Sequence, residues 1–239
     1  MRYYVGTSGW HYDHWRGRFY PDRISKAKWL EFYAGHFTTV ELNNSFYRLP
    51  SEVTFSNWRD SSPPGFIFAV KVSRFITHIK RLRDVEDAVG KFIDRAKILG
   101  GKLGPLLYQF PPNMRRNDEL LESFLTILPQ KMMHVFEFRH PSWFEEKVFR
   151  ILRSYNIGFC ISDMPSLCCP VVTTADFAYV RFHGSTGLYE GSYSDEELVN
   201  CAERLAVLSA NLKMLFVYFN NDASAFAVRN AITLRDCLG

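Results

Sequence analysis

Four pairs of polar residues, each separated by one apolar residue, carry the chemistry of this chain: Glu41 and Asn43, Glu137 and Arg139, Arg181 and His183, and Tyr218 and Asn220. The residues between them are Leu42, Phe138, Phe182 and Phe219. In an extended chain, side chains alternate between two faces. Each pair therefore shares a face, with its apolar neighbour on the other. Lys71, Gln109 and Asp163 end three further apolar runs, and His140 follows Arg139. A carboxylate beside cations stays ionised and can take a proton, imidazole titrates near neutral pH, and guanidinium groups grip carboxylate or phosphate. The expected chemistry is isomerisation, epimerisation or a lyase reaction on a small anionic or sugar-like metabolite. Glu41, Glu137, His183 and Asp163 are the expected catalytic groups. Lys71, Arg139 and Arg181 would bind the anion, Asn43, Gln109 and Asn220 would orient hydroxyls, and Trp10 and His140 would complete the binding surface. His140, with Arg139, could also serve only to orient Glu137.

Such residues need a scaffold that brings many chain segments to one place. Near-continuous apolar runs occur at 3–9, 38–44, 66–73, 105–110, 134–140, 157–163, 177–183 and 213–220. Runs of this kind suit strands covered on both faces. Helical stripes lie between most of them, at 25–36, 84–99, 118–128, 143–155, 194–210 and 223–237. Ser142-x-x-Glu145 and Ser194-x-x-Glu197 both read as capping boxes opening a helix. Residues 164–176 carry Pro165 and Pro170 and no stripe, so irregular chain is expected there. Alternating strands and helices predict an α/β fold, a (β/α)₈ TIM-type barrel of one domain over residues 1–239, with an irregular connection in place of the helix after strand six. An open doubly wound sheet is the rival. In a barrel, chemistry sits at the C-terminal ends of the strands, where the polar pairs fall.

Counted as inward, Glu41, Glu137 and Asp163 balance Lys71, Arg139 and Arg181. No cofactor is expected. A divalent metal would sit beside three cationic groups, which repel it, although Glu41, Glu137, Asp163 and His183 have suitable donor atoms. The same residues could also form a closed ion-pair plug with no catalytic role.

The loops after the strands are basic and aromatic. The first holds Trp10, His11, Tyr12, His14, Trp15, Arg16 and Arg18. The third, 74–83, holds Arg74, His78, Lys80, Arg81 and Arg83 without an acid, and the fourth holds Arg115 and Arg116. Basic groups with stacking faces make nucleic-acid binding, or metal-dependent phosphodiester cleavage, the alternative function. A non-catalytic ligand-binding protein is a third. Gly6-Thr7-Ser8-Gly9 is not a nucleophile elbow, and Gly100-Gly101-Lys102-Leu103-Gly104 lies between a helix and a strand, the wrong context for a phosphate loop.

Composition sets the outer limits. The chain has 239 residues, 47% hydrophobic and 23% charged, with a net charge of +4. That mixture excludes a mainly disordered chain. No apolar stretch reaches the about 18 residues of a membrane span. Met1 to Gly6 reads directly into a strand, without the apolar segment of a secretory signal. Five cysteines, with no C-x-x-C, suggest reduced thiols and a cytoplasmic protein.

Seven segments, in order, resemble the YecE-like barrels, domain-of-unknown-function family 72. They are Gly6 to Trp10 (GTSGW), Val40 to Tyr47 (VELNNSFY), Lys71 to His78 (KVSRFITH), Leu103 to Pro112 (LGPLLYQFPP), Glu137 to Trp143 (EFRHPSW), Tyr179 to Gly184 (YVRFHG) and Phe219 to Asp222 (FNND). The resemblance spans almost the whole chain and implies a TIM-type barrel. It implies no particular reaction; likenesses to sugar-isomerase and metal-dependent endonuclease barrels are likenesses of fold. One departure is Asn44-Ser45, where a Thr is common before Phe-Tyr.

Overall fold

The apolar runs become strands because each is covered on both faces. In the computed structural model, which describes residues 1–187 and 189–239, they are β1 (Arg2–Thr7), β2 (Thr39–Leu42), β3 (Ile67–Lys71), β4 (Leu103–Gln109), β5 (His134–Glu137), β6 (Gly158–Asp163), β7 (Phe177–Phe182) and β8 (Met214–Phe219). All paired neighbours are parallel, in the order β1-β8-β7-β6-β5-β4-β3-β2. The sheet curls into a nearly closed barrel, with helices outside it.

Those helices are α1 (Trp29–Ala34), α2 (Asn44–Tyr47), α3 (Glu52–Asp60), α4 (Glu86–Ala96), α5 (Asp118–Thr126), α6 (Glu146–Ser154), α7 (Asp195–Ser209) and α8 (Phe226–Leu238). The capping box at α7 forms: Ser194 Oγ accepts from the Glu197 N–H, and the Glu197 carboxylate accepts from the Ser194 N–H. The box expected at Ser142 does not. Helix α6 starts at Glu146, with Glu145 as its N-cap. Pro141 begins a short 3-10 turn before it, and Ser142 Oγ there accepts from the Arg116 N–H at 2.9 Å. Helix α3 was not legible as a stripe, because EVTFSNWRD buries only Phe55; Ser51, capping Thr54, defines its start.

Between β6 and β7 there is no helix, as residues 164–176 predicted. Thr174 fastens that connection to the barrel: its hydroxyl accepts from the Phe159 N–H and donates to the Ile157 carbonyl. Two apolar layers result from strand alternation. Outward residues such as Val5, Leu42, Phe68, Tyr108, Phe136 and Phe159 pack beneath the helices. Inward residues, including Ala69, Leu107, Val135, Tyr179, Phe216 and Tyr218, fill the lower lumen.

One pair of neighbouring strands is joined differently. No hydrogen-bonded ladder connects β1 to β2 among the described residues. Instead the Tyr33 hydroxyl, carried by α1, accepts from the Thr7 N–H at 3.0 Å and donates to the Thr39 carbonyl at 3.1 Å. Gly6 permits the approach, since a Cβ there would lie 2.5 Å from the Thr39 oxygen.

Candidate active site at the barrel mouth

Above the apolar lumen lies a paired ionic layer. Arg181, buried on β7, donates from Nη2 to Glu41 Oε1 at 2.7 Å and from Nη1 to Glu137 Oε2 at 2.6 Å. Glu41 also accepts from the Tyr179 hydroxyl at 2.6 Å. Glu137 accepts from Gln109 Nε2 at 3.0 Å and pairs with Arg139 at 2.5 Å. Burial alone would raise both carboxyl pKa values. For Glu41 the charge of Arg181 and the Tyr179 hydrogen bond outweigh it, and for Glu137 the charges of Arg139 and Arg181 do, so both lie below the usual range.

His183 closes this layer. Burial holds its pKa down at about 4, against the opposing pull of Glu137, so the ring is neutral at pH 7. Asn220 Nδ2 lies 3.1 Å from its Nδ1, while Nε2 lies 3.2 Å from Arg139 Nη2 and 3.4 Å from Glu137 Oε1.

The next layer up is only partly paired. Lys71, at the end of β3, places Nζ 4.2 Å from the centroid of Phe46. Among the described residues, Nζ has no ion-pair or hydrogen-bond partner. Burial and then the charge of Arg181 lower its pKa to about 8, although Glu137 and Glu41 pull the other way. Helix α2 sets this geometry: it carries Phe46, and Ser45 Oγ donates to the Lys71 carbonyl at 2.6 Å. Arg139 is 10% exposed and, beyond Glu137, donates Nη1 to the weak acceptor Met164 Sδ at 3.2 Å. Its Nε, like Arg181 Nε, is buried without a partner among the described residues, as are Asn43 Oδ1 and Ser8 Oγ, although Ser8 is near enough to Glu41 to help hold that carboxylate ionised. Buried polar atoms are normally satisfied, so Asn43 Oδ1 and Arg139 Nε beside the mouth are available to something polar.

Two clefts open here. One, about 370 Å³, is lined by His78, Gln109, Phe110, Arg139, Met164 and Leu167. The other, about 350 Å³, is lined by Gly9, Trp10, Asn43, Tyr47 and Trp58, among others. β3 lies between β2, which leads into Asn43, and β4, which carries Gln109.

The structure thus brings together Glu41, Lys71, Gln109, Glu137, Arg139, Arg181, His183 and Asn220, with Asn43 at the lip. Trp10 is a buried wall residue, packed edge-on against Trp58. Two expectations are corrected. Asp163 does not enter the lumen. Alternation puts Cys160 and Ser162 inside on β6, and Asp163 lines an outer cleft with Val180, Cys201 and Leu205. His140 has the opposite parity to Arg139, and its Nδ1 lies 3.2 Å from the Ser142 N–H and 2.9 Å from Ser142 Oγ, so it shapes the turn rather than the mouth.

With Asp163 outside, the lumen charges no longer balance: two carboxylates (Glu41, Glu137) face three cations (Lys71, Arg139, Arg181), an excess of one positive charge. The four-donor metal set is not assembled either, since Asp163 points away and both carboxylates are engaged by guanidinium groups. Residues missed from sequence include Ser8, Ser162 and Tyr179, while His78 and Phe46 read only as loop residues. Strand parity would have placed Ser8 inside with Gly6, and Ser162 inside with Cys160.

Comparison with known proteins agrees with this architecture. A family model described as "Protein of unknown function DUF72" matches residues 4–239. The chain is 27% identical to the UPF0759 protein YunF of Bacillus subtilis (strain 168), over 98% of this chain and 94% of that one. It is 32% identical to the UPF0759 protein YecE of Escherichia coli (strain K12), over 67% of this chain and 58% of that one. The crystal structure of a DUF72 family protein from Thermotoga maritima MSB8 superposes with a TM-score of 0.91 at 32% identity, covering 100% of this chain and 99% of the other. No helix among the described residues is long and apolar enough to cross a membrane.

Proposed function

This chain belongs to the DUF72 family, and from that premise we propose that it is an enzyme acting on a small anionic metabolite at the C-terminal mouth of the barrel. One observation carries the reading: above the layer in which Arg181 joins Glu41 and Glu137 stand two cations, Lys71 without an ion-pair or hydrogen-bond partner among the described residues and Arg139 with Nη1 spent on a thioether. A carboxylate or phosphate oxygen is a far stronger acceptor than the Met164 thioether, so it would take over Arg139 Nη1. Clefts of about 370 and 350 Å³ suit a metabolite rather than a folded partner. Ser8 and Asn43 would orient its hydroxyls.

Roles within the mouth follow from charge state. Glu41 and Glu137 are held ionised by their partners and serve to fix Arg181 and Arg139. Lys71, lowered to about 8, is the group able to exchange a proton near neutral pH, while His183, held neutral, is a hydrogen-bonding partner. Isomerisation, epimerisation or elimination next to a carbonyl fits that set. The test is calorimetric titration with a panel of carboxylated and phosphorylated metabolites. At least one should bind, and R139M should weaken it about tenfold or more. Equal affinity for R139M across all binders would refute the assignment.

A second reading has its own observation. Arg74, Lys80 and Arg83 are exposed around the exposed side chains Phe75 and Ile79, a basic surface with a stacking face. Arg116 is less available, being paired with Asp118 at 2.6 Å. Oligonucleotide retention that falls steeply with salt would support nucleic-acid binding, and its absence at low salt would remove it.

A further inference from the structure

We propose that Lys71 is an amine nucleophile, condensing through Nζ with the carbonyl carbon of an anionic aldehyde or ketone to give a covalent iminium while Arg139 holds the anion. The inference rests on the anion-binding reading of the same mouth and names its substrate class. Its basis is the contrast between Lys71 and lysines that serve structure. Lys102 Nζ donates to the Arg59 carbonyl, the Ser62 carbonyl and Ser62 Oγ. Lys28 and Lys213 pair with Glu31 and Asp176. Lys71 is buried, lies against the face of Phe46, and has no acceptor among the described residues.

A largely buried ammonium without an ion-pair partner costs stability. The guanidinium groups of Arg181 and Arg139 repel it while Glu137 and Glu41 attract it, and burial together with the repulsion prevails. Burial in an apolar pocket beside other cations is the arrangement that releases an amine lone pair near neutral pH. The shift of Lys71 to about 8 agrees with it. The thiols of Cys160 and Cys169 do not compete. Cys160 is fully buried, with its pKa pushed well up by desolvation, and burial raises Cys169 to about 12.

The step balances without an oxidant or reductant. The ammonium yields a proton to water, and the amine lone pair forms the C–N bond as the carbonyl π pair moves to oxygen. That oxygen then gains two protons and departs as water. Overall, an ammonium and a carbonyl become an iminium and one water, both hydrogens of the water replacing those lost from nitrogen. The iminium withdraws electrons from the adjacent carbon, the activation needed for proton loss or bond cleavage there.

The test is reductive trapping on the full chain. Protein is incubated with glyoxylate, with glycolaldehyde phosphate, or with uncharged propanal, each with cyanoborohydride, and adducts are mapped by peptide mass. The expected result is one adduct on Lys71 with an anionic probe, at least about tenfold above propanal at equal concentration, weakened about tenfold in R139M. Its yield should rise through pH 8, the region of the Lys71 shift. K71R and K71M should lose that adduct, with circular dichroism showing whether each is folded. Should both variants misfold, site occupancy and the pH profile of the unaltered protein decide the matter. Labelling spread over Lys28, Lys97 and Lys213 with no preference for Lys71 overturns the proposal. If calorimetry shows an anionic carbonyl compound bound while Lys71 stays unlabelled, the nucleophile is wrong and the anion site stands. If neither anionic probe nor any member of the metabolite panel binds, the anion site itself is refuted.

Discussion

Arg181 and Arg139 rise from the same barrel and share one carboxylate, yet they are held in opposite ways. Arg181 meets Glu41 and Glu137 with its two terminal nitrogens and is buried with them. Arg139 meets Glu137 and His183 through Nη2 but only a thioether through Nη1; the Nε of both arginines is without a partner among the described residues, so the contrast lies in the terminal nitrogens. The lower layer is therefore a clamp across β2, β5 and β7, and the upper layer a surface awaiting a partner. Charge in a barrel lumen is not by itself a sign of chemistry; incomplete pairing is the more discriminating one.

The comparison breaks most sharply at Arg181. R181M leaves two buried carboxylates without their shared cation and should cost about 3–5 kcal/mol in urea unfolding; a loss under about 1 kcal/mol would show that the lower layer is no clamp.

Acid should reveal the same layer more gently through His183, together with a second buried ring outside it, His134, whose Nε2 lies 3.0 Å from the Pro129 carbonyl. His183 and His134 are each lowered from 6.5 to about 4, chiefly by burial, so between those values the unfolded chain binds more protons than the folded one. Stability contributed by these rings is present above pH 6.5 and is lost as pH falls through about 4. Lowered Glu41 and Glu137 extend the loss below 4.5. The melting temperature should thus drop steadily from pH 7 to pH 4.5 and more shallowly in H134Q; a flat profile contradicts the assignment.

S194A supplies a yardstick outside both layers. Removing that cap should cost about 1 kcal/mol and leave anion titrations unchanged. The smallest stability effect belongs to K71M, because deleting an unpaired buried charge should leave unfolding free energy unchanged or raise it by about 1 kcal/mol. A large loss there would mean that Lys71 holds the barrel together after all.

Much of this was readable in the residues, and the failures are instructive. Eight apolar runs announce strands because both of their faces are covered, and the two-residue spacing in β2, β5, β7 and β8 puts Glu41, Glu137, Arg181 and Tyr218 inside. The same counting, applied to β6 from Cys160, turns Asp163 outward, because its position on the strand and not its polarity decides the face. Lys71 is a different case. Its isolation depends on Glu41 and Glu137 both choosing arginine, a choice made across strands far apart in the chain.

Tyr33 leaves one last consequence. Seven junctions of the barrel are stitched by main-chain ladders, while the eighth is fastened by a single phenol. A hoop fails at its rivet. Deuterium uptake should start at Thr39–Leu42 before it reaches Phe177–Phe182, and Y33F should accelerate it there first. Ser8 and Asn43 follow directly from the two staves that would part, so the slackest joint of this protein lies directly beneath one rim of its reactive opening.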